Sequence, residues 1–170
     1  MYMILQKCSL WNVAEVFFRE PTKIHFIKEI SKKINLAHTS VKNHLLVLID
    51  LGFIEKVNSE PFKGYKAKRD NAEFIFYKKI SNIINLKESG LVNTLKEKYP
   101  KSIILFGSYD KGEDIESSDI DIFIDSKKFQ MDEKKPEKYL KRNIHLIFKD
   151  EMSNSLKSSI NQGTLLFGER

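Results

Sequence analysis

The sequence predicts an α+β protein in three segments: an N-terminal helical domain at 1–69, a helical linker at 70–90, and a C-terminal domain at 91–170 with a mixed β-sheet and helices. Two patterns support this class. Apolar residues recur at helical spacing through the first two segments, whereas short aliphatic runs of strand length dominate the third. Runs of helices followed by runs of strands are typical of α+β proteins.

Composition restricts the class of protein further. Apolar residues make up 41% and charged residues 31%, which fits a soluble globular protein with a real core. No apolar run approaches the roughly 18 residues of a membrane span. Met1–Leu10 lacks the regions of a secretory signal, so we expect a cytoplasmic protein with no membrane contact. A single cysteine, Cys8, excludes an internal disulfide and a cysteine-based zinc site.

The two halves of the chain differ in net charge. Residues 1–87 contain 15 Lys and Arg against 8 Asp and Glu, a net charge of +7, whereas residues 88–170 contain 14 against 15. The basic excess therefore lies wholly in the first half. Such asymmetry indicates a basic module for a polyanion joined to a nearly neutral module with another task.

The first half shows three helical patterns. Ser9 is a candidate N-cap for the first helix, which ends before Pro21 because the residue preceding proline disfavours helix. A short strand is expected at 24–26 and a second helix at 27–34. After a three-residue turn, a third helix opens at Thr39-Ser40 and closes near Gly52. The histidines of this half show no metal-ligand spacing, so we expect them at surface or capping positions: His25, His38 and His44.

The helix-turn-helix and the two following segments, Phe53–Val57 and Tyr65–Lys68, are similar to the winged helix-turn-helix family. Thr39–Leu45 and Leu51–Ile54 match its recognition helix and the start of its wing, which extends here over Asn58–Gly64. The resemblance implies binding to double-stranded DNA, with the helix in the major groove and wing lysines on phosphates. The candidate DNA-binding residues are Thr39, Ser40, Lys42, Asn43, Lys63, Lys66 and Lys68. The alternative is a winged helix used for dimerisation or protein contact.

Residues 70–99 are expected to be helical with a break at 85–90. An apolar stripe with aromatic members fits a homodimer contact or an interdomain spine, and Lys78 and Lys79 are expected outside it. The stripe consists of Phe74, Tyr77, Ile80, Ile83 and Ile84.

The stretch Ser102–Asp125 organises the C-terminal domain. A buried strand ends at Gly107, where backbone can approach a ligand closely. The segment that follows alternates acidic and aliphatic residues, so period-2 geometry places Asp119 and Asp121 on one face. Two adjacent carboxylates repel unless a divalent cation or a proton resolves the clash, and their oxygens suit Mg²⁺.

Gly107-Ser108, a ten-residue spacer and Asp119-x-Asp121 resemble the signature of polymerase-beta-type nucleotidyltransferases, in particular their minimal members. The resemblance implies that Gly107 and Ser108 bind the phosphates of an NTP, with help from Lys111. It implies that Asp119 and Asp121 are catalytic and bind Mg²⁺ or Mn²⁺ for two-metal phosphoryl transfer. The whole chain resembles archaeal-type fusions of a winged helix with such a domain.

The third carboxylate of the family is missing. A strand is expected at Ile144–Phe148, a short helix at 153–160 and a final strand at 164–167, while 127–141 reads as an exposed lysine-rich loop around one short helix. The family's third acid falls on His145. This histidine has three interpretations: a variant metal ligand, a direct base, or the mark of a site that binds nucleotide without turning it over.

Two functions follow. In the first, the protein binds DNA and NTP with metal, and transfers NMP to the hydroxyl of a small molecule or of a protein. The resemblance to the minimal members, some of which modify a partner toxin, implies a toxin as one candidate protein acceptor. In the alternative, it is a transcription regulator whose degenerate nucleotidyltransferase domain senses nucleotide or mediates dimerisation.

Overall fold

The helices and strands form close to where apolar periodicity predicts them. The computed structural model describes residues 8–59 and 62–169. Glu60 and Pro61 of the predicted wing, and most of the Met1–Leu10 segment in which no secretory signal is expected, therefore lie outside the described residues. The helices are α1 (Ser9–Arg19), α2 (Ile27–Ile34), α3 (His38–Asp50), α4 (Ala72–Glu88), α5 (Leu91–Lys96), α6 (Gly107–Lys111), α7 (Lys134–Leu140) and α8 (Asn154–Gln162). The strands are β1 (Ile54–Ser59), β2 (Phe62–Ala67), β3 (Ser102–Phe106), β4 (Ile120–Ile124), β5 (Ile144–Phe148) and β6 (Thr164–Gly168).

Contacts within the chain divide it into two compact units, Met1–Lys78 (unit 1) and Lys79–Arg170 (unit 2). The mixed α and β composition is confirmed, while the predicted 70–90 linker remains a prediction. Among the described residues, no helix combines the length and apolar character needed to cross a bilayer.

Unit 1 packs three helices and the antiparallel β1–β2 hairpin around one core. The strand expected at 24–26 is reduced to a single bridge, in which His25 and Tyr65 exchange backbone hydrogen bonds of 2.8 and 2.9 Å. This bridge ties the segment between α1 and α2 to β2. The fully buried core side chains include Val13, Phe17, Phe18, Ile30, Val41, Leu45, Leu48, Ile54 and Phe74.

Two local predictions in unit 1 are wrong, and a third holds in part. Cys8, not Ser9, holds the N-cap position of α1, because the Ser9 hydroxyl bonds to Nε2 of His44 at 2.8 Å instead of capping the helix. The third helix begins at His38, one residue before Thr39. Of the two positions expected for His25, surface or capping, it is not at the surface, because it is fully buried, but its Nε2 bonds to the carbonyl of Glu20, the C-cap residue of α1.

The buried face of α4 also differs from the prediction. The helix continues through the expected break to Glu88, and Lys78 is 1% exposed, not outside. Tyr77 of the predicted stripe is 39% exposed instead. The residues that α4 buries are mostly polar: Phe74, Lys78, Ser81, Asn82, Asn85 and Leu86. They recur at helical spacing, so the helix has a regular buried face that apolar residues do not mark.

Unit 2 is built on a four-stranded sheet in the order β5-β4-β3-β6. Strand β3 is antiparallel to β4 and β6, whereas β4 and β5 are parallel. Ile120, Ile122 and Ile124 of β4 pack on one side, and Phe123 packs on the other with residues such as Ile160 of α8. Both faces of the sheet are therefore covered.

A buried polar network holds the segment between β3 and β4. Nδ2 of Asn82 donates to the Tyr109 carbonyl at 2.8 Å and to Oδ1 of Asp114 at 2.7 Å. Oδ2 of Asp114, a residue that is 1% exposed, lies 3.5 Å from Nη2 of Arg142. Asp110 pairs with Lys79 at 3.3 Å. Because a buried carboxylate is costly without partners, these contacts explain why α4 buries polar residues.

We predict that Asp114→Ala lowers the free energy of unfolding by about 3–5 kcal/mol, because it leaves the buried Arg142 guanidinium without this partner. The matched control is Glu113→Ala, which removes the exposed neighbouring acid. Urea denaturation followed by circular dichroism measures both. Equal small losses in the two variants would contradict the structural role of the network.

Candidate functional site

Gly107 and Asp121 lie against each other where β3 ends. Phe106, the last residue of β3, pairs with Asp121 of β4, and the chain then turns at Gly107 with φ +78°. A Cβ at position 107 would lie 2.5 Å from Oδ2 of Asp121. Glycine is therefore required twice here, by the backbone conformation and by the carboxylate.

Asp121 and His145 are neighbours in the parallel β4–β5 pair. Nδ1 of His145 lies 3.2 Å from Oδ1 of Asp121, and because the carboxylate accepts, the imidazole N–H donates. The side chains are 30% and 63% exposed, so the pair opens to solvent. The structure thus places the predicted third-ligand position directly beside the predicted metal-binding acid.

Asp119 comes just before β4 and is exposed. Nδ2 of Asn143 donates to Oδ1 of Asp119 at 3.1 Å. Among the residues that the structure describes, Asp119, Asp121 and His145 do not form a group whose ligand atoms all lie within 4.8 Å of one another. Asn143 thus occupies one of the two carboxylate oxygens of Asp119.

Two other acids near the site, Asp125 and Asp150, do not take the place of the missing third carboxylate. Asp125 pairs with Lys149 at 2.9 Å, and this hydrogen bond is the main cause that raises the pKa of Lys149. Asp150 is exposed on the 3-10 turn that follows β5. Neither therefore replaces a third carboxylate beside Asp121.

The remaining predicted phosphate-binding residues belong to α6. Ser108 is half-buried, and its carbonyl accepts from the Glu113 amide at 3.0 Å. Lys111 is exposed at the other end of this short helix. Tyr109 and Asp110 between them are buried. The segment that carries Gly107 and Ser108 is thus anchored by the two buried residues that follow it, Tyr109 and Asp110.

Asp119 also lines a cleft of about 400 Å³ that the sequence interpretation missed. Its walls are polar and of mixed charge: the cations Lys134, Lys138, Lys141 and Arg142, the acids Glu116, Asp119 and Glu137, and the neutral Ser117, Ser118 and Asn143. The sequence predicts an exposed lysine-rich loop around one short helix at 127–141, and the structure has that helix, α7. The spacing of Lys134, Lys138 and Lys141 places them on one helical face, and that signal was available in the sequence.

In unit 1, the structure separates the predicted DNA-binding residues. On α3, Val41, Leu45 and Leu48 are buried, whereas Ser40 is half-buried and Thr39, Lys42 and Asn43 are exposed. On β2, alternation puts Lys63 and Lys66 on opposite faces of the hairpin. Lys63 lines a groove of about 600 Å³ with Lys28, Lys32 and His38, the first residue of α3. Lys66 and Lys68 are half-buried and absent from that groove.

Comparison with known families gives one result for unit 2. Residues 88–166 match the family model described as "Nucleotidyltransferase domain". This range contains Gly107, Asp119, Asp121 and His145, and it supports a nucleotidyltransferase domain and a nucleotidyl-transfer-type function. Domains of this kind typically use divalent metals. Neither the curated proteins nor the solved structures gave a significant match to the chain.

We predict that Gly107→Ala abolishes binding of Mn²⁺ at Asp121, because the new Cβ displaces the carboxylate. The matched control is Gly90→Ala, which has the same strained φ of +79° but nothing within 4 Å of the new Cβ. Both variants should lose about 1–2 kcal/mol of stability from the left-handed backbone, and only Gly107→Ala should lose the ion. Electron paramagnetic resonance of added Mn²⁺ measures this, and unchanged binding in Gly107→Ala would contradict it.

Proposed function

We propose that unit 2 binds an NTP with Mg²⁺ or Mn²⁺ and transfers NMP to a hydroxyl group of a protein or small molecule. The hydroxyl oxygen bonds to the α-phosphorus and gives up its proton to water, while the bond between the α-phosphorus and the oxygen that bridges to the β-phosphate breaks and pyrophosphate leaves. The observation that carries the proposal is the contact between Gly107 and the Asp121 carboxylate at the end of β3, within a range that matches the nucleotidyltransferase domain. It puts the Gly-Ser turn and a metal-binding acid side by side, as phosphate held by a metal requires.

In this proposal each residue has a defined task. Gly107 and Ser108 hold the triphosphate, Asp119 and Asp121 hold divalent metal, and Lys111 adds positive charge. The metal supplies charge neutralisation and aligns the reacting oxygens. The cleft beside Asp119 has four cations against three carboxylates, and its lysines, Lys134, Lys138 and Lys141, support contact with a negatively charged ligand.

His145 determines how active the site is. A carboxylate binds Mg²⁺ better than imidazole does, and here the imidazole also hydrogen-bonds the metal-binding acid. This contact favours a second candidate, a regulator whose unit 2 senses nucleotide or dimerises without transfer. The proposal also includes an acceptor hydroxyl, a toxin partner, a homodimer and a cytoplasmic location.

For unit 1 we propose a winged helix that binds double-stranded DNA. The net charge of +7 in residues 1–87 supports this, as do the exposed polar residues of α3 opposite its buried face. The groove that joins Lys63 to the start of α3 supports phosphate contacts beside the recognition helix. Lys66, on the opposite face of the hairpin from Lys63, and Lys68, which follows β2, do not line this groove.

We predict that incubation with labelled NTP, Mg²⁺ or Mn²⁺ and cell extract gives label transfer, and that Asp121→Asn removes it because the metal is lost. Asp150→Asn, at an exposed acid of the next turn, is the control and should keep full transfer. His145→Asp should raise the Mg²⁺-dependent rate if His145 replaces a lost ligand, and lower it if His145 is a base. NTP binding without transfer in every form would support the nucleotide sensor instead.

We predict that Lys63→Ala flattens the salt dependence of duplex binding by about one unit of slope, as expected for one lost phosphate contact. Lys66→Ala, on the opposite face of the hairpin, should change the slope less. Fluorescence anisotropy with the full chain at several salt concentrations measures both. A larger change in Lys66→Ala would place the DNA on the other face of the hairpin.

A further inference from the structure

A buried histidine lies between two glutamates in unit 1. Glu20 follows the last residue of α1, His25 forms the bridge to β2, and Glu29 lies in the first turn of α2. Nδ1 of His25 is 3.9 Å from Oε2 of Glu20 and 3.8 Å from Oε1 of Glu29. One ligand atom from each of the three residues lies within 4.8 Å of the other two. Three residues from one ten-residue stretch of the chain thus converge on one spot.

The imidazole is held in one orientation. Its Nε2 lies 3.0 Å from the Glu20 carbonyl oxygen, which only accepts, so Nε2 carries the proton and donates. The ring packs edge-on against Phe17 at a centroid distance of 5.0 Å. In the neutral tautomer the lone pair is therefore on Nδ1, directed towards the two carboxylates.

That Nδ1 atom is fully buried and has no hydrogen-bond partner among the described residues. Buried polar atoms are almost always satisfied, because leaving one without a partner costs roughly 1–3 kcal/mol. If Nδ1 were protonated, the glutamate oxygens at 3.8 and 3.9 Å would still be too distant for a hydrogen bond. A metal ion would satisfy the atom directly.

The backbone contact at Nε2 fits a metal ligand. A histidine that binds metal almost always donates its other ring N–H to a carbonyl or carboxylate, which fixes the tautomer. Here Nε2–H donates to the Glu20 carbonyl, and the side chain of the same residue supplies a second ligand. The hydrogen bond that orients the His25 ring for metal binding is therefore already present.

Two lysines neutralise the glutamates in the metal-free arrangement. Nζ of Lys33 lies 2.6 Å from Oε2 of Glu20, and Nζ of Lys23 lies 3.5 Å from Glu20 and 3.9 Å from Glu29. Their side chains are 31% and 55% exposed, so both can swing into solvent. A divalent ion must compete with them, which makes the lysines a direct test of the site.

We propose that Glu20, His25 and Glu29 bind a first-row transition-metal dication such as Zn²⁺. One imidazole and two carboxylates suit Zn²⁺, whereas Mg²⁺ avoids imidazole. With ligand bonds of about 2.0–2.2 Å, tetrahedral ligand atoms lie roughly 3.3–3.5 Å apart. The observed separations need only small rotations of the two partly exposed glutamates. The bound ion links α1, α2 and the bridge to β2.

The test uses the full chain carrying Asp119→Asn and Asp121→Asn, so that the proposed site of unit 2 cannot bind. Zn²⁺ is titrated by calorimetry, and Co²⁺ is followed by its visible absorption. We expect about one ion per chain, a rise in Tm with Zn²⁺, and a shift of the His25 Nδ1 signal in nitrogen-15 NMR. Absence of Zn²⁺ binding, or an unchanged His25 Nδ1 signal when Zn²⁺ binds, would overturn the proposal.

Variants in the same background locate the ligands. Glu29→Gln, at a side chain that is 38% exposed, should weaken Zn²⁺ binding more than tenfold, since even second-shell losses cost 10–100-fold. Glu55→Gln, at an exposed acid of β1, is the matched control and should bind normally. Lys33→Gln should tighten binding, because it removes the competing cation. A folded Glu29→Gln chain with normal affinity, or weaker binding in Lys33→Gln, would show that the cluster is only an ion pair.

Discussion

The carboxylate of Asp121 fills the space that any side chain at position 107 would need. Strand register produces this contact and fixes the site of unit 2, because the Phe106–Asp121 pair brings the Gly-Ser turn to the acid and the parallel β5 strand brings His145 beside it. The residues come from three strands, yet their relative positions depend only on register. A slip of one residue between β3 and β4 would turn Asp121 to the opposite face.

Hydrogen bonds among buried polar groups position the turn that begins at Gly107. Asn82 of α4 satisfies both the Tyr109 carbonyl and Asp114, so α4 determines where the segment after Gly107 lies. An apolar helix face would pack against this segment but leave its carbonyl and carboxylate without donors. Buried hydrogen bonds specify one arrangement, and a site that holds phosphate and metal depends on such precise placement.

These contacts also explain which parts of the fold the sequence predicts. Ile120, Ile122 and Ile124 alternate with acids, so period 2 identifies β4 and the shared face of its acids without further information. The buried face of α4 is not predictable in this way, because Asn82 is buried on account of Asp114, 32 residues away in the chain. His25 is a similar case, since the long-range pairing with Tyr65 buries it. Local periodicity predicts apolar faces, whereas polar burial depends on partners that only the fold brings together.

His145 and His25 both lie beside acids, but they differ in burial and in the ring nitrogen that donates a hydrogen bond. His145 is exposed and donates to Asp121 from Nδ1, so this nitrogen is occupied by the acid that the proposed hard-metal site needs. His25 is buried, donates from Nε2 to the backbone, and keeps Nδ1 directed at two glutamates. Backbone geometry thus sets the tautomer of His25, while a side chain sets that of His145. Because imidazole prefers transition metals and paired carboxylates prefer Mg²⁺, the two proposed sites would take different ions, the unit 1 site through its histidine and the unit 2 site through its acids.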